Sequence, residues 1–229
     1  KYWYLADNEK IVYLSEQTGF RHLHVLDPLY ESFRPLTSGP FEVYPIDIAK
    51  DRAWVFVRAT KEHPSRIDVY RISTETGRMT RLTRREGVHT DPAVSPDGTR
   101  VLANFASYES LRELVYLDAG ADAHRTLTDS HTDKTREYAS AVPQFFDYEN
   151  RHGHTIHGMM FKPDEFDPAD KRPLLIYFYG GPLGTAKQVV HANYNGSAYA
   201  FAHYMAKKHG YVTCTLDPRG NSGYAGVFE

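Results

Sequence analysis

A Leu-Thr pair recurs at Leu36-Thr37, Leu82-Thr83 and Leu127-Thr128, at intervals of 46 and then 45 residues. Ten residues before each leucine stands another aliphatic residue, Leu26, Ile72 and Leu117, in the strand-like segments His22–Asp27, Asp68–Ser73 and Glu113–Asp118. Further upstream lie the β-rich runs Ile11–Leu14, Trp54–Val57 and Val101–Phe105, each behind turn formers: Asp7-Asn8, Asp51 and Ser95-Pro96-Asp97-Gly98. Short β-branched and aromatic runs between turn residues read as antiparallel strands. Several such strands in a repeat of about 40–50 residues read as a β-propeller blade, which is preferred here to a generic β-sandwich. A helical solenoid needs long amphipathic runs at period 3.6, and these segments are short and broken by turns. Because a propeller closes with about four to eight blades, the three repeats in residues 1–137 are expected to be the last blades of a longer ring.

The rest of the composition narrows the class. Of 229 residues, 41% are hydrophobic and 24% charged, enough apolar material to bury a core. The net charge of −2 provides no basic field for nucleic acid or anionic lipid. The longest apolar run, Leu174–Tyr179, is strand-length and far short of the roughly 18 residues that suggest a membrane span. A single cysteine, Cys214, excludes an internal disulfide framework. It leaves a cytoplasmic location open beside the preferred extracytoplasmic (periplasmic or secreted) one, and Lys1–Lys10 does not read as a signal peptide.

From Tyr138 the repeat stops, and residues 138–229 read as a second unit. Phe145–Gly158 is expected to form a hairpin with a polar tip. A buried strand, Leu174–Tyr179, is followed by a Gly-Gly-Pro loop. A helix over Ala198–His209 comes next, with Phe201, Ala202, Met205 and Lys208 on one face and Gly210 ending it. Tyr211–Leu216 then supplies another buried strand. Strand, loop, helix and strand make a βαβ unit, hence a parallel sheet and an α/β domain. The expected fold class is therefore mixed: β-propeller blades followed by an α/β portion.

Loops leaving the carboxyl ends of parallel strands are where open α/β sheets bind ligands. One such loop is Tyr179-Gly180-Gly181-Pro182. In α/β-hydrolases this loop supplies a donor of the oxyanion hole, and glycines let backbone approach a developing alkoxide. A tight turn after a strand accounts for the same tetrapeptide equally well. The other loop, Asp217–Tyr224, reads as a Gly-rich turn with Arg219 holding a structural carboxylate. His152, His154 and His157 have no converging Cys or carboxylate set, so no metal is assigned. Ser222 lacks a G-x-S-x-G elbow, none occurs in the chain, and no cofactor motif stands out.

Blades ending in Leu-Thr, Ser95-Pro96-Asp97-Gly98, Gly19-Phe20-Arg21-His22-Leu23, then Pro173-Leu174-Leu175 entering Tyr179-Gly180-Gly181-Pro182, and Arg219-Gly220-Asn221-Ser222-Gly223, occur here in that order. The combination resembles the prolyl oligopeptidase family of serine peptidases, most closely its dipeptidyl peptidase IV branch. The resemblance implies the last propeller blades (1–137) joined to the N-terminal portion of an α/β-hydrolase domain (138–229). It implies a serine exopeptidase that releases N-terminal di- or tripeptides, often after proline, through an acyl-enzyme. By position, Tyr179 is the oxyanion-hole hydroxyl, and Gly180 and Gly181 form its loop. The family's serine, aspartate and histidine have no match in this chain, nor do the paired glutamates that bind the substrate's amino terminus. The chain alone is therefore expected to be inactive. Peptides with free N-termini are the implied substrates, and homodimers the implied assembly. A propeller binding module with a dead hydrolase domain, and an acylaminoacyl peptidase or oligoendopeptidase, remain the other readings.

Overall fold

A computed structural model describes residues 1–108, 110–120, 124–133, 142–180, 187, 189–190 and 197–226, the backbone only at 197–198. Each Leu-Thr repeat is one four-stranded antiparallel meander. The first contains β1 (Tyr2–Tyr4), β2 (Ile11–Ser15), β3 (His22–Asp27) and β4 (Ser32–Pro35). The second contains β5 (Val43–Ile48), β6 (Trp54–Ala59), β7 (Asp68–Ser73) and β8 (Met79–Arg81). The third contains β9 (Val88–Val94), β10 (Arg100–Ser107), β11 (Ser110–Asp118) and β12 (His124–Thr126). These sheets are propeller blades.

The repeated dipeptide sits directly after the last strand of each blade, and its backbone and hydroxyl close the sheet in the same way three times. Leu36, Leu82 and Leu127 each donate their N–H to the carbonyl of a residue in the third strand (Leu23, Val69 and Leu114) at 2.8 Å. The following threonine hydroxyl accepts the N–H of that same residue, at 3.0 Å from Leu23, 3.0 Å from Val69 and 2.9 Å from Leu114. It also engages the buried polar side chain one position earlier. Thr83 donates to Asp68 at 2.8 Å, Thr128 donates to Glu113 at 2.5 Å, and Thr37 meets Nδ1 of His22 at 3.0 Å. The 45- to 46-residue period thus records a side chain capping the third strand where the fourth strand runs out.

The cores lie between blades. Val12, Leu23, Val25 and Leu36 of the first pack against Val43, Val55, Val57, Tyr70 and Ile72 of the second. Phe56 and Ala49 of the second pack against Val101, Leu117 and Ala119 of the third. The Ser95–Gly98 turn seals the latter seam: Gly98 has φ +70°, and a Cβ there would stand 2.7 Å from that of Ala49. Only glycine tolerates both conditions.

The segment after residue 142 folds as a different kind of sheet. Its strands are β13 (Gln144–Glu149), β14 (Thr155–Phe161), β15 (Leu174–Phe178) and β16 (Val212–Leu216), in the order β13-β14-β16-β15. The hairpin over Phe145–Gly158 forms as expected, β13 with β14. The β15 and β16 strands are parallel and connected through helix α1 (Ser197–His209).

Two sequence expectations need correction here. Leu174–Tyr179 was expected as a buried strand, but β15 ends at Phe178 and, among the described residues, pairs with β16 alone, with Leu174 57% and Phe178 64% exposed. An apolar run carries no information about strand order. The helix buries Tyr199, Ala202 and Ala206 against Met159 and Phe161 of β14. Phe201, expected on that face, is 54% exposed, and Lys208 is exposed too. Packing selected a stripe at i, i+3 and i+7, one tyrosine and two alanines, with the Tyr199 ring edge-on to Phe161 of β14. Gly210, with φ +69°, ends the helix as expected, its N–H donating to the Ala206 carbonyl. The expected boundary at 137/138 falls outside the described residues.

Candidate active site

The register of the parallel pair sets the geometry. Phe178 stands opposite Leu216, so Tyr179 and Asp217 leave neighbouring strands at the same level of the sheet's carboxyl edge. Tyr179 is half exposed, and beyond Gly180 the space where a Cβ would stand is open. Gly181 lies outside the described residues. A phenol on a strand end with an unobstructed glycine beside it can donate to an incoming oxygen.

Asp217 is the opposite case. It is fully buried, and its N–H donates to the His157 carbonyl at 3.1 Å. Its carboxylate accepts the Asn221 side-chain amide at 2.9 Å, the Tyr224 hydroxyl at 2.6 Å and the Val189 backbone N–H at 3.0 Å. The expectation that Arg219 organises this loop is therefore corrected: Arg219 is exposed, and neutral donors with one N–H surround the carboxylate. Burial, then the neighbouring Asp217 charge, raises the Tyr224 phenol pKa far above its usual range.

Around this carboxylate the mixed sheet meets the propeller. The Lys187 ammonium lies 3.7 Å from the centroid of the Tyr224 ring and donates to the carbonyls of Gly223, at 3.4 Å, and of Pro64 in the second blade. Burial pulls its pKa down to about 8, against the opposing pull of Asp217 and Glu42. The His157 ring stacks on Tyr224 at 5.0 Å and 9°, with Nδ1 held by Asp147 at 2.5 Å. His154 and His157, with Phe20, Phe41, Pro64 and Tyr224, line a cavity of about 260 Å³ between blades and hairpin. His152 instead pairs with Arg151 at the hairpin tip.

Sequence reasoning missed Lys187 and the hub role of Asp217. The available signal for Asp217 was its position, first after a parallel strand at the ligand-binding edge. Lys187 had none, because its partners are 36 and 123 residues away. A second polar cluster also escaped notice: Glu113, Asp129 and His131, whose ligand atoms lie within 4.8 Å of one another. Its buried carboxylate is already taken up by the hydroxyls of Thr128 and Ser130 and by the Ser130 N–H, which fits a blade closure.

Residues 1–110 match the family model described as the dipeptidyl peptidase IV N-terminal region. Over these residues the chain is similar to dipeptidyl peptidase IV. It is 24% identical over 261 residues to dipeptidyl peptidase 8 of Homo sapiens, covering 96% of this chain and 28% of that protein. It is 30% identical over 232 residues to a probable dipeptidyl peptidase 4 of Aspergillus fumigatus, covering 96% of this chain and 29% of that one. Among solved structures, dipeptidyl peptidase 4 of Porphyromonas gingivalis has the same fold, with a TM-score of 0.78 at 24% identity over 96% of this chain and 30% of its own. The chain thus spans less than a third of the length of these relatives.

Proposed function

We propose that this chain is the propeller-to-hydrolase junction of a serine exopeptidase of dipeptidyl peptidase IV type, with residues 1–137 as propeller blades and 138–229 as the opening of an α/β-hydrolase domain. The whole protein removes N-terminal di- or tripeptides, often after proline. The observation that carries the reading is the placement of Tyr179, half exposed at the carboxyl end of a strand that is parallel to its neighbour, with open space at Gly180.

In the reaction, a serine contributed by the rest of the protein attacks the scissile carbonyl, whose oxygen becomes an oxyanion. The Tyr179 hydroxyl donates a hydrogen bond that strengthens as that charge grows, with open space at Gly180 beside it. In that role the hydroxyl acts on the transition state, so its loss falls on kcat and spares binding. In the full-length protein, Tyr179→Phe is expected to lower kcat about 100- to 1,000-fold with KM within about twofold. An unchanged kcat removes Tyr179 from the oxyanion hole.

A further inference from the structure

Asp217 collects donors from two loops. Asn221 and Tyr224 belong to its own loop, whereas Val189 lies ten residues after Tyr179, on the chain that Tyr179 begins. Val189 is fully buried against Met159, Phe161 and the helix, and Val190 packs on Val88 and Ala106 of the third blade. Gly226, at the far end of the Asp217 loop, donates to the Gly19 carbonyl of the first blade at 2.7 Å. A single buried carboxylate therefore ties Val189 to the exit loop of β16, while Val190 and Gly226 beside them are seated on the propeller. The Val189 and Asn221 donors to it are themselves buried, so removing the carboxylate costs buried polar contacts. Bonds to an ionised acceptor are also the strong ones.

We propose that Asp217 is the positioning residue for Tyr179: it fixes the carboxyl edge of the β15–β16 pair, and with it the place of the phenol. The proposal rests on the reading of Tyr179 as oxyanion donor. It follows from geometry, because the two residues leave adjacent strands at one level, about 4.8 Å apart, and a group acting on a transition state must be held to within about 0.5 Å.

The test is a double-mutant cycle in the full-length protein, read as kcat and KM on a Gly-Pro-amide substrate. Asp217→Asn is expected to lower kcat about tenfold with KM within about twofold. Because Asp217 acts through Tyr179, the same substitution adds less than about twofold once Tyr179 is Phe. Tyr224→Phe, which removes one donor and leaves the carboxylate in place, is expected to lower kcat about threefold with the same lack of effect in the Tyr179→Phe background. It reports on the proposal even if Asp217→Asn does not fold. A wild-type kcat in Tyr179→Phe overturns the oxyanion reading itself. A slow Tyr179→Phe, combined with wild-type kcat or fully multiplicative losses for the Asp217 and Tyr224 variants, overturns the positioning role alone.

Discussion

At the scale of single residues, the junction is held by groups that water would normally claim. Lys187 loses its proton near pH 8 in the folded protein, chiefly because it is buried, and near the ordinary 10.5 when unfolded. The unfolded chain therefore binds more protons between these values. Stability contributed through this group rises as pH increases from 8 to 10.5, by at most about 3 kcal/mol. Lys187→Met is expected to remove that rise, so the stability of wild type relative to the variant increases from pH 7.5 to pH 10. An unchanged difference across that range contradicts the burial of the ammonium. Tyr179 and Gly180 were legible in the sequence because their motif is local, four consecutive residues at a strand end. Lys187 and Asp217 were not, because a buried charge is defined by what folds over it from elsewhere in the chain.

Among the elements, the blade strands were readable from the spacing: β3 and β7 have the suggested bounds and β2, β6, β10 and β11 run one to three residues further, since antiparallel neighbours joined by tight turns leave a local record. The three copies of the closing threonine differ in burial. Thr83 is fully buried and links Asp68 to the Val69 N–H, whereas Thr128 is exposed. Thr83→Val should cost about 1–3 kcal/mol by leaving the Val69 N–H unsatisfied and depriving Asp68 of a donor, and Thr128→Val clearly less. Urea denaturation of both variants measures this; equal losses would show that the hydroxyl does not close the blade. The misread elements, β15 and the face of α1, share a cause. Periodicity reports that a surface is apolar, but strand order and helix docking are decided by partners distant in sequence, such as β16 and Met159 of β14.

For the whole molecule, the point of the fold is the seam. Blades pack on one another through aliphatic cores, whereas the mixed sheet is pinned to them by Lys187, the Gly226–Gly19 bond and Val190, around the buried carboxylate of Asp217. That arrangement brings the carboxyl edge carrying Tyr179 and the blades into one assembly. The most direct measurement is hydrolysis, by the full-length protein, of a Gly-Pro-amide with a free amino terminus beside the same compound acetylated at that terminus. A dipeptidyl peptidase IV-type exopeptidase cleaves the first and spares the second. Equal cleavage of both, or of neither, contradicts it.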